Sequence, residues 1–548
     1  MAEFTFETWR AGIIPLTVQG SYENPFLECR IEALFTGPSG QTIAREAYWD
    51  GEDRFKISFA PTEAGEWHYT VKAPEESGVN GLSGTVKAVL YEGDLPIYQH
   101  GFLRVADDGY RIVYQDGTPF FWLGDTHWAF VAGERWDWSN HPNMTSMFKG
   151  MVDKRKSQKF TVYQTNTRAS YKKIDPNSPF ARMSRTHYWE DGKEGYLPDV
   201  RFYQEVVDPR MQYIADAGLV NAIGLDWANG IVDLMEQHVN MVHYFIARYG
   251  ALPLVHTIAG EAAGYAGGEL RERTIAGWRE IGKEIRRTDG YHQLITAHYN
   301  TARPFEDYYF DEDWFDFTLN QAGHGDFPLT PGDFTEYRKT HVGKPFVEGE
   351  SLYEGCSTLE PIGSRYCTAD MMRRIAYITM QVGASGYTYG AQGIWDTLYE
   401  KPEGPPENSM MNIFNQYNVT WYEAIDLPGA DQLTLMRDFY EAADFHTLRP
   451  SEDLIRQEGM FGNPMIAGLR TPLSMADPER KTVVLYYMAA ARGQAVLQGL
   501  LKPAYRAEWF DPRTGDYTSL GTVRPENGEW RTPAKPDGSD WVLKLTAL

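Results

Sequence analysis

Both ends of the chain alternate apolar and polar residues with a period of two. This period places one face of a strand in a core and the other face in solvent. In residues 1–100 the alternating segments are Pro15–Val18, Leu27–Phe35 and Trp67–Ala73. In residues 450–548 they are Thr482–Tyr487, Ala495–Leu497, Ala507–Phe510 and Trp541–Leu545. Turn-forming residues separate these segments, so the pattern predicts a β-sandwich domain at each end.

Residues 101–449 have a different pattern, in which short apolar runs alternate with helical segments. A hairpin over residues 101–118 leads into this region, and a long polar and aromatic insertion occupies residues 167–200. The eight candidate strands are Phe120–Gly124, Phe160–Thr165, Leu219–Leu225, Leu254–Ala259, Gln293–Ala297, Asp316–Leu319, Pro345–Val347 and Gly386–Tyr389. The candidate helices are Met144–Ser157, Tyr203–Ala217, Ile231–Tyr249, Glu269–Arg287, Asp370–Val382 and Gly429–Phe445. Buried parallel strands alternating with helices predict a (β/α)8 TIM barrel, and therefore an α/β fold flanked by two β-sandwich domains.

The charge and cysteine content narrow the classes of partner. The formal net charge is −23 and no basic stripe is visible, which argues against nucleic acid and anionic membrane surfaces as partners. No run of about 18 apolar residues occurs, so no membrane span is predicted. The N-terminus lacks the pattern of a signal peptide, and the three cysteines do not suggest a disulfide framework. We expect a cytoplasmic protein with reduced cysteines; homo-oligomerisation is left open.

Two glutamates follow buried strands and are the strongest candidates for chemistry. Glu261 follows the fourth strand, and Glu350 ends the seventh. Catalytic groups of TIM barrels lie at the C-terminal ends of the strands. Glycoside hydrolysis needs two carboxyl groups there, one as proton donor and the other as nucleophile or base. We assign Glu261 as the general acid/base, because an apolar run before it would raise its pKa, and Glu350 as the nucleophile.

Two nearby glutamates compete for the nucleophile role. Glu348 lies two residues before Glu350, so on an extended strand both side chains would point the same way, and Glu348 would contact the sugar or support Glu350. Glu354 follows shortly after. We rank Glu350 first.

Other polar and aromatic residues lie at or just past the ends of the remaining strands. Their side chains can bind sugar hydroxyl groups or stack on sugar rings. The candidates for substrate binding are Asp125, Trp128, Asn166, Asp226, Trp227, His298, Gln321, His324, Glu348, Tyr389 and Trp395. For Asp125 the alternative is a structural role in capping the segment that follows.

Other chemistries lack sequence support. The chain contains no HExxH, CxxC, GxxxxGK[ST], GxGxxG after a strand, or GxSxG motif. A metal-dependent hydrolase built from Asp226, His298 and His324 is the remaining alternative. We predict no metal and no cofactor.

Several strand motifs resemble those of one family, the apiosidase-like glycoside hydrolases (DUF4038). The motifs are Pro119–Trp128 in the first strand, Gln321–His324 in the sixth, Pro345–Glu350 with Tyr353 and Glu354 in the seventh, and Tyr387–Gly390 with Trp395 in the eighth. Residues 1–100 resemble the DUF5060 domain, and the segment Trp509–Gly515 resembles the small β domain that often follows such barrels. The resemblance implies the same acid/base and nucleophile. The chain has Glu261 where relatives often have Asp, and Ser351 where they often have Pro.

Together these observations predict an exo-acting, retaining glycosidase. Its substrate would be a plant-type glycoside or oligosaccharide, with apiose or another furanoside as the released sugar. A β-glucosidase or β-galactosidase of the same fold is the nearest alternative. A non-catalytic carbohydrate-binding barrel is the alternative from another class, and ester hydrolysis is a weaker one.

Overall fold

The computed structural model describes residues 2–131, 133–167, 188–190, 192–264, 267–299, 308–325, 331–359, 364–401, 414–456, 471–491 and 494–548. Most of the predicted insertion at residues 167–200 lies outside these ranges. Among the described residues we find no helix with the length and apolar character that a bilayer crossing requires.

The centre of the protein is a parallel eight-stranded sheet that curls into a barrel. Its strands are, in chain order, Trp122–His127, Val162–Asn166, Val220–Gly224, Leu254–Thr257, Ile295–Thr296, Thr318–Gln321, Phe346–Glu350 and Gly386–Tyr389. Each strand pairs with its neighbour in the chain, except that the fifth and sixth meet only through a bridge between His298 and Leu319. The first and eighth strands pair directly. The predicted α/β barrel and all eight of its strands are therefore confirmed.

The barrel is filled by apolar side chains from alternate strand positions. Trp122, Val162, Val255, Leu319 and Val347 belong to one buried cluster in its interior. Residues between these positions face the surrounding helices instead. This alternation decides which of the polar residues at the strand ends can reach a ligand in the barrel mouth.

Helices cover the outside of the barrel. The longer ones are Met147–Ser157, Asp208–Asp216, Met235–Tyr249, Gly268–Thr288, Pro331–Thr340, Ala369–Gln381 and Pro428–Glu441. Shorter helices are Pro25–Glu28, Pro96–Gln99, Val200–Phe202 and Trp421–Ala424, with 3₁₀ turns at Glu75–Ser77, Ala228–Ile231 and Glu452–Leu454. The helix Pro331–Thr340 was not predicted, because its polar sequence carries a weak apolar stripe.

The predicted single helix over residues 203–217 is wrong in its first half. Tyr203–Val207 forms a π-helical turn, in which the N–H of Asp208 donates to the carbonyl of Tyr203. Pro209 follows immediately and has no N–H to donate to the carbonyl four residues earlier, so the regular ladder is interrupted. The helix ends as predicted before Gly218, whose φ of +81° favours glycine.

The N-terminal region contains two antiparallel layers. One sheet is built from Ala2–Glu7, Ser83–Val89, Gly65–Lys72, Glu32–Thr36 and Thr42–Glu46, and the other from Gly12–Thr17, Arg54–Phe59 and Tyr48–Trp49. Only the pair Ala2–Glu7 and Ser83–Val89 is parallel. The predicted strand at residues 27–35 is shorter, because the Asn24 side chain caps the helix Pro25–Glu28 by accepting from the N–H of Leu27 (3.1 Å).

Two further β-structures flank the barrel. The predicted hairpin precedes it, and the C-terminal region that follows it is β-rich. The hairpin pairs Leu103–Val105 with Ile112–Tyr114. The C-terminal sheets are formed by Arg449–Pro450, Leu473–Ala476, Thr482–Tyr487, Trp541–Ala547, Tyr505–Phe510 and Tyr517–Val523, and by Ile455–Arg456, Val496–Leu497 and Trp530–Arg531.

Buried arginines join both flanking regions to the barrel helices. Arg45 of the N-terminal sheet donates to the carbonyl of Ile246 (2.7 Å), one of the last carbonyls of the helix Met235–Tyr249. Arg373 of the helix Ala369–Gln381 donates to both carboxylate oxygens of Asp540, at 2.6 and 2.8 Å. The Ile246 carbonyl also accepts from the N–H of Gly250 (2.8 Å), so Arg45 is a second donor to this carbonyl at the end of the helix.

Candidate active site

Glu261 lies at the mouth of the barrel, just past the fourth strand. Its Oε2 accepts from the indole N–H of Trp227 (2.8 Å), and its Oε1 accepts from the side-chain amide of Gln321 (3.4 Å). Its φ of +46° is unusual for a residue other than glycine and marks a constrained position. Burial raises the pKa of Glu261, and the charge of Glu350 raises it further, against smaller opposing effects of His298, Trp227 and Gln321.

Glu350 ends the seventh strand between two histidines. Its Oε2 lies 3.2 Å from Nε2 of His298, and its Oε1 lies 3.1 Å from Nε2 of His324. Burial acts to raise the pKa of Glu350, but the close contacts and charges of the two histidines outweigh it and lower this pKa far below its usual range. The two glutamates therefore have pKa values shifted in opposite directions.

A bulge in the seventh strand separates Glu350 from Glu348. Asn320 pairs with Glu348, but the next residue of the sixth strand, Gln321, pairs with Glu350, so Gly349 is the extra residue. Adjacent strand residues face opposite sides of a sheet. The expectation that Glu348 and Glu350 point the same way is therefore wrong.

Glu348 is instead buried among backbone and amide groups behind the mouth. It accepts from the side-chain amide of Asn320 (2.6 Å) and from the N–H of Ala322 (2.9 Å). Burial raises the pKa of Glu348 to about 8, despite these hydrogen bonds. This side chain ties the ends of the sixth and seventh strands together and does not contact the histidines around Glu350.

Aromatic rings form a wall beside the two glutamates. Trp128 makes edge contacts with Trp227 (ring centroids 5.2 Å apart) and with His298 (5.2 Å), and its indole N–H donates to the Tyr353 hydroxyl (3.0 Å). Trp128, Tyr353, Cys356, Trp395 and Phe414 form one buried cluster, with Trp227 packed against it. Flat aromatic rings next to polar groups suit the apolar face of a sugar ring.

The structure places three of the proposed substrate-binding residues on the helix side of their strands. Asp125 accepts from Arg155 Nε at 2.6 Å and lies 2.9 Å from Nε2 of His127. Asp226 lies 2.9 Å from Nε2 of His238. The Tyr389 hydroxyl donates to Glu354 at 2.6 Å, and burial raises the pKa of Glu354 to about 7. These side chains support the barrel wall and are held away from the mouth.

The remaining candidates have mixed placements. The Asn166 amide donates to the carbonyl of Asp226 (2.8 Å) and so links the second and third strands. Trp128, Trp227, His298, Gln321, His324 and Trp395 lie with the two glutamates. The proposed metal set of Asp226, His298 and His324 is not assembled. In the described ranges no group of three or more His, Cys, Asp or Glu side chains is arranged to hold a metal ion.

Tyr353 and Phe414 were missed as site residues. His324 packs against both rings, with centroids 4.9 Å from Tyr353 and 4.6 Å from Phe414. Tyr353 lies three residues after Glu350, which was an available signal. Phe414 lies on a segment after the eighth strand, and no local pattern marks it.

Several buried polar atoms in the mouth have no hydrogen-bond partner among the residues that the structure describes. They are Nδ1 of His298, Nδ1 of His324 and Oε1 of Gln321. A buried polar atom without a hydrogen bond costs about 1–3 kcal/mol, so a native protein rarely collects several without a functional reason. A polyhydroxylated ligand would satisfy these donors and acceptors.

Comparison with known proteins identifies the barrel. A family model described as the apiosidase-like catalytic domain matches residues 106–447. The chain belongs to the apiosidase-like family. A model for DUF5060, a domain of unknown function, matches residues 5–74, and a model for a candidate collagen-binding domain of a collagenase matches residues 470–546. The family resemblance and the glycoside hydrolase class predicted from the sequence are thus confirmed.

Solved structures share the fold of this apiosidase-like protein at low sequence identity. A candidate glycoside hydrolase from Bacteroides vulgatus ATCC 8482 has 18% identity and a TM-score of 0.73, with all of both chains covered. A second glycoside hydrolase has 19% identity and a TM-score of 0.65, covering 83% of this chain and 99% of its own. A family 5 glycoside hydrolase from the same Bacteroides strain has 18% identity and a TM-score of 0.64, covering 83% and 95%. None of the curated proteins matches the sequence.

Proposed function

We propose that this apiosidase-like protein is an exo-acting, retaining glycosidase that uses Glu261 and Glu350. Its substrates would be plant-type glycosides or oligosaccharides, with a terminal apiose or another furanoside as the first candidate for the released sugar. The observation that carries the proposal is the pair itself. Glu261 has a raised pKa, in part because of the charge of Glu350, and Glu350 has a lowered pKa because of its contacts with His298 and His324 at the barrel mouth.

The proposed mechanism has two steps. Glu261, whose pKa is raised by burial, donates its proton to the leaving oxygen while Glu350 attacks the anomeric carbon and forms a glycosyl-enzyme intermediate. Glu261, now ionised, removes a proton from a water molecule as the water oxygen bonds to the anomeric carbon and the bond from that carbon to Glu350 breaks. The sugar is released, Glu261 is protonated again and Glu350 is again a carboxylate. His298 and His324 keep Glu350 ionised before the attack, because they stabilise its negative charge.

The aromatic wall supports the choice of a terminal sugar. Trp128, Tyr353 and Trp395 are nearly fully buried, and they close one side of the site next to His298. A wall of this kind accepts the end of a chain more readily than its middle. A β-glucoside or β-galactoside is the second candidate, because Glu261 reaches about one methylene further than the aspartate common in relatives and would place the leaving group differently.

The test is sugar release from a panel of aryl glycosides by the wild type, Glu261→Gln and Glu350→Gln. Glu350→Gln should lose turnover of every substrate. Glu261→Gln should lose about 10²–10⁴-fold on substrates with a poor leaving group, and far less on dinitrophenyl glycosides, which leave without a proton. Glu269→Gln is the matched control. It makes the same exchange at an exposed residue of the helix Gly268–Thr288, and this variant should be fully active.

The stereochemistry of the first product separates the mechanisms. NMR of the sugar as it is released should show the same anomer as the substrate. The opposite anomer would overturn the retaining mechanism but leave the two carboxyl groups in place. Equal activity of all four proteins would show that other residues carry the reaction.

A further inference from the structure

A second cavity lies far from the mouth, where the N-terminal region meets the barrel. Its volume is about 480 Å³, within the range of sites for small ligands. Its walls come from the N-terminal sheets and from the helix Met235–Tyr249, and they share no residue with the candidate active site. Such junctions between structural units are common places for binding sites.

Tyr48 supplies an unused hydroxyl group to this cavity. Its side chain is 5% exposed, and its ring is fixed under the Arg248 guanidinium, 4.5 Å from the ring centroid. Within the described part of the chain its hydroxyl has no hydrogen-bond partner. The neighbouring Tyr244 differs, because its hydroxyl donates to the carbonyl of Trp49 (2.8 Å). A hydroxyl group without a partner in the protein, on a residue that lines a cavity, is a group that a ligand can use.

Charged groups of both signs lie along one edge of the cavity. Lys72, Glu32 and Glu46 occupy paired positions on three adjacent strands, so their side chains share one face of the sheet. Glu46 is held by His243, whose Nδ1 lies 2.7 Å from it. Glu32 and Lys72 make no ion pair with any described residue. This edge therefore offers both hydrogen-bond donors and acceptors to a ligand.

Aromatic and smaller apolar side chains form most of the remaining lining. Phe26, Phe55 and Tyr244 contribute to the cavity walls, and the Arg30 guanidinium lies over the Phe26 ring at 5.1 Å from its centroid. An anion would meet Glu32 and Glu46, and a cation would meet Lys72 and Arg30. A neutral ligand with hydroxyl groups that both donate and accept, and with an apolar face, matches both parts of the lining.

We propose that this cavity is a second carbohydrate site, which binds a neutral sugar ring through Tyr48, Lys72 and Glu32. The proposal goes beyond hydrolysis and does not depend on turnover by Glu261 and Glu350.

The test measures binding of the methyl glycosides of glucose, galactose, xylose and arabinose, and of cellobiose, to the full-length protein by calorimetry. Tyr48→Phe removes only the unpartnered hydroxyl and keeps the ring, so the fold should be unchanged. We expect at least one probe to bind, and Tyr48→Phe and Lys72→Ala each to weaken it about 3–10-fold, the usual effect of one hydrogen bond. Lys87→Ala, an exposed lysine exchange on the adjacent strand Ser83–Val89, is the matched control.

The outcomes separate this site from the active site. Weaker binding by both variants, with aryl glycoside hydrolysis within twofold of the wild type, supports the proposal. If no probe binds, or if binding is lost in Glu350→Gln but unchanged in Tyr48→Phe and Lys72→Ala, the second site is refuted. If neither the wild type nor any variant hydrolyses a glycoside, but binding still depends on Tyr48, the second site is supported and the proposed hydrolysis is refuted.

Discussion

Replacing Gly349 by alanine tests whether the bulge in the seventh strand positions Glu350, the proposed nucleophile. An added Cβ would lie 2.5 Å from both Cγ and Cδ1 of Leu319 and 3.3 Å from the carbonyl oxygen of Asn320. Leu319 is completely buried in the barrel interior, so it cannot withdraw without displacing its neighbours. Overpacking of this kind costs about 1–3 kcal/mol of stability. Movement of Glu350 by about 1 Å would lower the rate on the order of 100-fold.

The assay combines denaturant unfolding with kcat/KM on the best aryl glycoside. Gly538→Ala is the control, because a Cβ added there meets no atom within 4 Å. Leu319→Ala removes the atoms that the new Cβ would strike, so Gly349→Ala should cost less stability in that background than in the wild type. Wild-type stability and activity in Gly349→Ala, or the same cost in both backgrounds, would refute the reasoning.

Two further predictions concern groups around the mouth. Trp227→Phe removes the N–H that stabilises ionised Glu261, so the pKa of Glu261 should rise further. The alkaline limb of the pH profile of kcat/KM should therefore move to higher pH. A shift of this limb to lower pH would contradict the role of Glu261 as the acid. Asp125→Asn leaves the buried Arg155 without its anionic partner and should cost about 3–5 kcal/mol in denaturant unfolding. The exposed exchange Asp107→Asn should cost less than about 1 kcal/mol, and equal costs would contradict the buried ion pair.

The barrel could be predicted because its signals are local. Each of the eight strands is a short apolar run bounded by polar or glycine residues, and the alternation with helices permits few other arrangements. The two glutamates were proposed for the same reason. Each follows such a run, and the C-terminal ends of parallel strands meet at one face.

The partners of the polar residues could not be predicted in this way. Asp125, Asp226 and Tyr389 follow strands just as Glu261 does, yet their partners are Arg155, His238 and Glu354 from distant segments. Successive residues of a strand face the barrel interior and the surrounding helices in turn. The direction of a residue at a strand end therefore depends on whether it occupies an inward or an outward position. A shift of one residue reverses that direction.

The sequence by itself predicted the eight strands, most of the helices and the family, and it led to the proposal of Glu261 and Glu350 as the two carboxyl groups. These features are carried by periodicity and by short motifs, which depend only on neighbouring residues. The tertiary structure decided that Glu350 rather than Glu348 lies between His298 and His324, because a one-residue bulge changes the register between two strands. It also decided the opposite pKa shifts of Glu261 and Glu350, since burial and charge at a site come from residues far apart in the chain.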